Sequence, residues 1–315
     1  MKQINFYKLG VIAVLLAGCG GQVAPTGGAQ SLTTVTHGKS WMLPGTSSGN
    51  LIYAVGGCGG TCVISYADGA LVGSLEVRGD GACSDANGNV FITSNATVTE
   101  YAHGGTNPIN TLSLPGSEAV GCSVDPTTND LAVVFEGSGK NIAVFANEQG
   151  SPSLYLSKLD SAFCGYDASG NLFVNGFVGQ NPGLAELPAG GSAFNRISVP
   201  YSVEDPGQLQ WDGSYLAWEA GEARGPRTIS RLSVSGSQAI IVSRRFLHGV
   251  SYASQLWIYK NTVVVPFAHS HLAPRQIGIL EYPKLQKRKV FEFQKGDDFQ
   301  AVTVSVAPSG PRIHN

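Results

Sequence analysis

Charge is scarce in this chain: Asp, Glu, Lys and Arg make up 13 % of its 315 residues and leave a net −2. That balance excludes the basic footprint of a nucleic-acid-binding domain, so no nucleic-acid partner is expected. Histidine is equally thin at six residues, which limits imidazole-based metal or acid–base chemistry. No apolar run reaches the ~20 residues that cross a bilayer as a helix. There is also no helical apolar period of any length, no G-x-S-x-G elbow, no H-E-x-x-H pair and no phosphate-cradling glycine loop. Helical bundles and the commonest serine-nucleophile, zinc-protease and nucleotide chemistries are thereby set aside. What the chain has instead is 43 % hydrophobic residues and 41 glycines, the composition of a turn-rich protein with a substantial core.

The first residues read as an export signal. Lys2 and Lys8 form a charged start, Leu9 to Leu16 an apolar run about half a membrane span long, and Leu16-Ala17-Gly18-Cys19 a small-residue cleavage site. The L-A-G-C tetrad resembles the bacterial lipobox. That resemblance implies a signal peptide over residues 1–18 and acylation of Cys19. Each buried acyl methylene contributes ~0.8 kcal/mol, so two or three chains anchor a protein stably without spanning the membrane. Residues 19–40, rich in Gly, Ser, Thr and Ala, are expected to be a lipidated flexible tether. Among lipoproteins an Asp after the acylated cysteine marks inner-membrane retention. Gly20 stands there, which favours the outer membrane in a host that has two.

The body carries an internal repeat. A turn and strand recur as Gly49-Asn50-Leu51, Gly88-Asn89-Val90, Asn129-Asp130-Leu131 and Gly170-Asn171-Leu172, with weaker copies at Gly213-Ser214-Tyr215-Leu216 and Lys260-Asn261-Thr262-Val263. The apolar residues Leu51, Val90, Leu131, Leu172, Leu216 and Val263 lie 39, 41, 41, 44 and 47 positions apart. Each copy holds further short strands bounded by Gly, Asn, Asp or Pro, as in the third copy at Val120–Val124, Leu131–Phe135, Asn141–Phe145 and Ser153–Ser157. Six copies predict an all-β, six-bladed β-propeller over residues 41–308, followed by a tail at 309–315. Ala301 to Pro308 matches the inner-strand segment Ala119 to Pro126 at five of eight positions. It is therefore expected to serve as the innermost strand of the first blade, whose outer three strands lie between residues 50 and 78. The pattern resembles NHL-type and related six-bladed propellers, and the whole is similar to bacterial propeller lipoproteins. That resemblance implies architecture; related propellers include lactonases and lyases as well as binding proteins.

Asp85, Asp125, Asp167 and Asp212 precede four of the repeat turns. Because they recur with the repeat, they are expected to cap turns through their carboxylates. Cys58 and Cys62 fit either a disulfide across the first hairpin or a C-x3-C metal pair that lacks a second pair of ligands. Cys83, Cys122 and Cys164, near equivalent places on three inner strands, read first as small apolar packing at the blade core. The alternatives are one inter-blade disulfide that includes Cys122, or a thiol-lined channel. Lactonase-like propellers hold a cation through Glu, Asn and Asp of the inner strands. Here those strands offer Ser84, Ser123, Tyr166, Gln208 and Gln210, with Glu118 and Glu204 only near their ends. His269 and His271 lack a third ligand. Lys284, Lys287, Arg288, Lys289 and Lys295, beside Phe291 and Phe293, suggest a solvated hairpin or a contact for anionic lipid or polysaccharide.

No metal and no cofactor are expected, and no catalytic constellation assembles. The reading is a monomeric, lipid-anchored cell-envelope protein whose propeller binds or scaffolds an envelope protein, glycan or small ligand. The alternative is a lactonase-like hydrolase or lyase with its site in the axial channel.

Overall fold

A computed structural model describes residues 39–308 except 117, 137–138, 201–204, 222–226, 249–251, 254, 269–274 and 294–296. The signal peptide, Cys19, most of the tether, Glu204, His269, His271, Lys295 and the tail lie outside the described residues. No helix among the described residues is long and apolar enough to cross a membrane.

The described chain is all-β, with six antiparallel sheets that follow one another along the sequence. Blades 2 to 5 each hold four strands and begin with inner strands Gly81–Ser84, Glu118–Val124, Asp160–Tyr166 and Asp205–Trp211. In each blade the next strand opens on the repeat residue: Val90, Leu131, Leu172 or Leu216. Neighbouring inner strands pack side by side, which bends the row of sheets into a six-bladed propeller.

Why the phase of the repeat is fixed becomes visible at the turns. Gly88, Asn129, Gly170 and Gly213 sit at φ of 88°, 61°, 80° and 94°, a left-handed region that glycine and asparagine enter with little steric cost. At the axis the constraint is space. A Cβ on Gly81 would lie 2.2 Å from the Val120 carbonyl oxygen of the next blade.

Blade 1 joins the two ends of the described chain. Its order from the outside is Trp41–Met42, Leu71–Leu75, Thr61–Ser65, Leu51–Val55 and Ala301–Ser305, the last pairing antiparallel with Leu51–Val55. It thus has four outer strands rather than the three expected, because Trp41–Met42 adds to the edge of Leu71–Leu75. Blade 6 departs in another way. Its inner strand is split into Tyr252–Ala253 and Trp257–Tyr259, both paired to Thr262–Ala268.

The core is partitioned. Six clusters of buried apolar side chains fill the wedges between adjacent blades, for example Phe173, Leu209 and Trp218 between blades 4 and 5. The second strands bury residues of both parities, so Leu51–Val55 and Leu216–Gly221 are buried throughout. Formal charge divides along the sequence, with 5 basic and 13 acidic residues over 39–200 against 13 and 9 over 201–315.

Candidate functional site: the axial cavity

The axis is held together by side-chain amides that imitate a neighbouring strand. Gln210 of blade 5 accepts from the Ile258 N–H at 2.7 Å and donates to the Ile258 carbonyl at 2.9 Å. Gln255, in the break of the blade 6 inner strand, does the same to Ala82 of blade 2, at 3.0 and 2.8 Å. Its own backbone meanwhile bonds Gln300 and Val302 of the C-terminal segment. Gln255 therefore passes beside the C-terminal strand and grips the blade beyond it. A planar amide presents one donor and one acceptor side by side, which is why glutamine can close both halves of a peptide group.

At the end of the inner strands where the repeat turns lie, a cavity of about 240 Å³ opens. Five blades line it. Val304 and Val306 come from blade 1, Ser84 and Asp85 from blade 2, Val124, Asp125 and Asn129 from blade 3, Gln210 from blade 5, and Trp257 to Tyr259 from blade 6. Its lining holds two carboxyl groups and no Lys, Arg or His. Ser84 Oγ donates to the Val304 carbonyl at 2.9 Å and accepts from Thr303 at 3.1 Å. Tyr259 OH accepts from Asn50 at 3.1 Å, and Lys260 Nζ stands 5.0 Å from the Tyr259 ring centroid.

The four repeat aspartates lie at the turns and accept their amide hydrogens. Asp85 Oδ1 takes Asn89 N–H at 2.6 Å, and its Oδ2 takes the Asn87 and Asn89 side-chain amides. Asp167 Oδ1 takes Ser169 and Asn171 N–H, and its Oδ2 takes the Asn171 side-chain amide at 2.8 Å. Asp125 Oδ1 takes both Thr127 N–H and Oγ1–H at 2.7 Å. Asp212 Oδ1 takes Ser214 and Tyr215 N–H, and its Oδ2 takes Arg231 at 2.5 Å and Tyr282 OH at 2.7 Å, tying blade 5 to blade 6. Burial pushes the Asp85 carboxyl up against those bonds. At Asp212 burial acts the same way, but the bonds from Arg231, Tyr282 and the turn amides outweigh it and hold the carboxyl below its usual range.

The inner-strand cysteines need a correction. Cys58 and Cys62 form a disulfide, as do Cys83 and Cys122, and only Cys164 among the described cysteines is free. Asp297 beside Cys58 accepts its backbone N–H at 2.8 Å. Packing at the blade core, the first reading for all three inner-strand cysteines, therefore describes Cys164 alone. The reason is strand parity. Cys83 pairs across its hairpin with Phe91, one residue past the start of the second strand, whereas Cys122 and Cys164 pair with Val133 and Val174, two residues past it. One residue of offset turns a side chain to the opposite face of its sheet. Cys83 and Cys122 thus face each other between blades 2 and 3. Across the next wedge, Ser123 occupies the Cys83 place, and Cys164 is left to donate to the Ala132 carbonyl at 3.8 Å. Burial pushes the Cys164 thiol up to about 12, so it is inert rather than part of a thiol-lined channel.

Elsewhere, the basic cluster spans the outer hairpin of blade 6. Lys284 and Arg288 both reach Glu281, at 3.0 and 4.0 Å, Lys289 donates to the Ala67 carbonyl, and Lys287 stands over the Phe267 ring. Gln255 and Trp257 were not marked by the sequence, since neither falls in the repeat phase.

No family model matches the chain, and no curated protein does. Solved structures do. One chain of a nidogen/laminin complex superposes with a TM-score of 0.64 at 14 % identity, covering 82 % of this chain and 99 % of that one. A Bacteroides caccae protein of unknown function gives 0.60 at 13 % identity, covering 81 % and 98 %. The β-propeller domain of Myceliophteria thermophila Cps50 (Swd1) gives 0.54 at 12 %, covering 84 % and 89 %. At such identities the likeness is one of fold, a β-propeller, and carries no activity with it.

Proposed function

We propose that this chain is a lipid-anchored cell-envelope protein whose NHL-like propeller holds a ligand in the axial cavity, acting as a binding or scaffolding protein rather than an enzyme. The observation that carries the reading is the cavity itself, walled by five blades and lined mainly by aliphatic and aromatic side chains with a few polar groups. Most of those polar groups already serve the fold. Asp85 caps its turn through both oxygens, Gln210 clamps Ile258, and Ser84 bonds the Val304 carbonyl. A lactonase-like site would need several such oxygens converging on a cation, free of structural duties.

Anchoring rests on the L-A-G-C sequence, and outer-membrane residence on Gly20. The pairing of Ala301–Ser305 with Leu51–Val55 supports a ring locked by its C-terminal strand. The envelope ligand would be a small molecule, a glycan or a protein segment that enters the cavity. Two measurements test this. Cys19→Ala should move the full chain from the membrane to the soluble fraction; a variant that stays with the membrane refutes the anchor. Val306→Phe, which fills the cavity, should abolish the co-purification of the small molecule or partner that native mass spectrometry finds on the wild type. Identical spectra for both proteins refute the cavity as the binding site.

A further inference from the structure

The outermost strand of blade 5, Gln238–Phe246, is apolar where it meets water: Ile240, Val242 and Phe246 are 62, 45 and 47 % exposed. It pairs with Arg227–Ser235 on one side, and from Ile240 onward no strand among the described residues covers the other. A bulge in that pairing sets Ile240 opposite Ser233 but Phe246 opposite Thr228, residues of opposite parity. Apolar side chains therefore flank the open edge on both faces of the sheet. The strand has no acidic residue and carries Arg244 and Arg245 near its end, both exposed. An open edge this apolar marks a surface that something covers.

The same mixture recurs on the next blade, which shares a buried cluster with blade 5. The outermost strand of blade 6, Gln286–Glu292, exposes Lys287, Arg288, Lys289 and Val290 against one acid, Glu292. These two strands hold four of the eight large apolar side chains exposed among the described residues. Blade 1 comes next: Lys289 donates to the Ala67 carbonyl, and the Phe291 ring fills the space beside Gly69. The outer edge of blade 1 is Trp41–Met42, with Lys39 exposed just before it, so the tether joins the body there. Apolar edge, cations and tether thus follow one another along one perimeter. A solvated hairpin accounts for the cations but not for the apolar side chains, and a polysaccharide accounts for the same half. An anionic phospholipid surface takes both, cations at its headgroups and apolar groups at the acyl boundary.

Resting on the lipid-anchored function proposed above, we infer that the perimeter of blades 5, 6 and 1 is a docking surface for anionic phospholipid of the anchoring membrane. The contact is weak and screened by salt. It orients an anchored propeller and does not retain an unanchored one through a salt wash.

The described residues form one compact unit, so the test uses the chain from residue 19 with Cys19→Ala, free of signal sequence and acyl groups. It is sedimented at low salt with vesicles of phosphatidylethanolamine and phosphatidylglycerol, or of phosphatidylcholine alone. Binding to the anionic vesicles is expected, at least tenfold tighter than to phosphatidylcholine and lost at high salt. Ile240→Ser with Phe246→Ser should weaken it at least tenfold at an unchanged melting temperature. Arg245→Gln with Lys287→Gln should weaken it about tenfold. Ile109→Ser with Leu156→Ser, exposed on blades 2 and 3, should leave it as it was. Equal binding to both vesicle types, no binding to either, or full affinity in both edge variants overturns the inference, as does an equal loss in the blade 2 and 3 variant. Binding of dextran sulphate without vesicle binding overturns it in favour of a glycan. The anchor is read separately: full chain with Cys19→Ala that stays on salt-washed cell membranes fails the anchor, whereas vesicle affinity reads the perimeter alone.

Discussion

Glu148 shows how a single side chain can write pH dependence into the ring. It sits in the short turn Ala146–Glu148 with φ of 59°, and its Oε1 is buried with no hydrogen-bond partner. Burial, with the charges of Asp85 and Glu100, pushes its carboxyl from 4.5 up to about 7. A carboxyl that holds its proton more tightly when folded contributes stability that is present below pH 4.5 and is lost as pH rises through about 7. Glu148→Gln should remove that loss. Thermal unfolding at about pH 5 and about pH 8 checks it: the variant should gain over the wild type at the higher pH, and equal gains at both would count against the assignment. Parity gives a second residue-scale prediction. Ser123 stands where Cys83 stands one blade earlier, so Ser123→Cys should bond Cys164. Alkylation after unfolding without reductant, read by mass, should then modify Cys164 in the wild type and leave it unmodified in the variant.

At the scale of the element, the hairpin turn between first and second strands is where sequence spoke most clearly. Its Gly or Asn is dictated by a left-handed backbone and its Asp by unpaired turn amides, so both recur with the blade and reveal the period. Asp167→Ala removes three such bonds and should cost about 1–3 kcal/mol, measured by urea unfolding. Elements set by distant partners were silent. Trp41–Met42 is a strand only because Leu71–Leu75 offers an edge, and two residues carry no alternation to read. The split inner strand of blade 6 exists because Gln255 leaves its own sheet to bond Ala82, 173 positions away.

Over the whole molecule, the six-bladed ring was legible because one unit, repeated at 39 to 47 residues, must bury both its faces against copies of itself. Its covalent ties were not, because three cysteines at nearly the same place leave the pairing open until strand register is known. Cys83 and Cys122 are 39 positions apart. Constraining a loop of that length in the unfolded chain is worth about 4 kcal/mol. Replacing both by Ala should lower the unfolding free energy by that order, with equilibrium denaturation as the check. Truncation after Gly296 removes Ala301–Ser305 and bares the edge of Leu51–Val55. It should lower the melting temperature sharply and promote aggregation; an unchanged melting curve would show that the C-terminal strand is dispensable.

The sheet that starts first is completed last. In an exported chain Leu51–Val55 emerges into the envelope about 250 residues ahead of its partner Ala301–Ser305, and during that interval blade 1 presents a raw, hydrogen-bond-hungry border to whatever lies near. Blades 2 and 3 meanwhile hold both halves of their own sulphur link and can settle early. Emergence of the chain should thus pass through a stage in which the middle of the ring is firm while its opening waits, and a helper that shields strand edges would find its client at that moment.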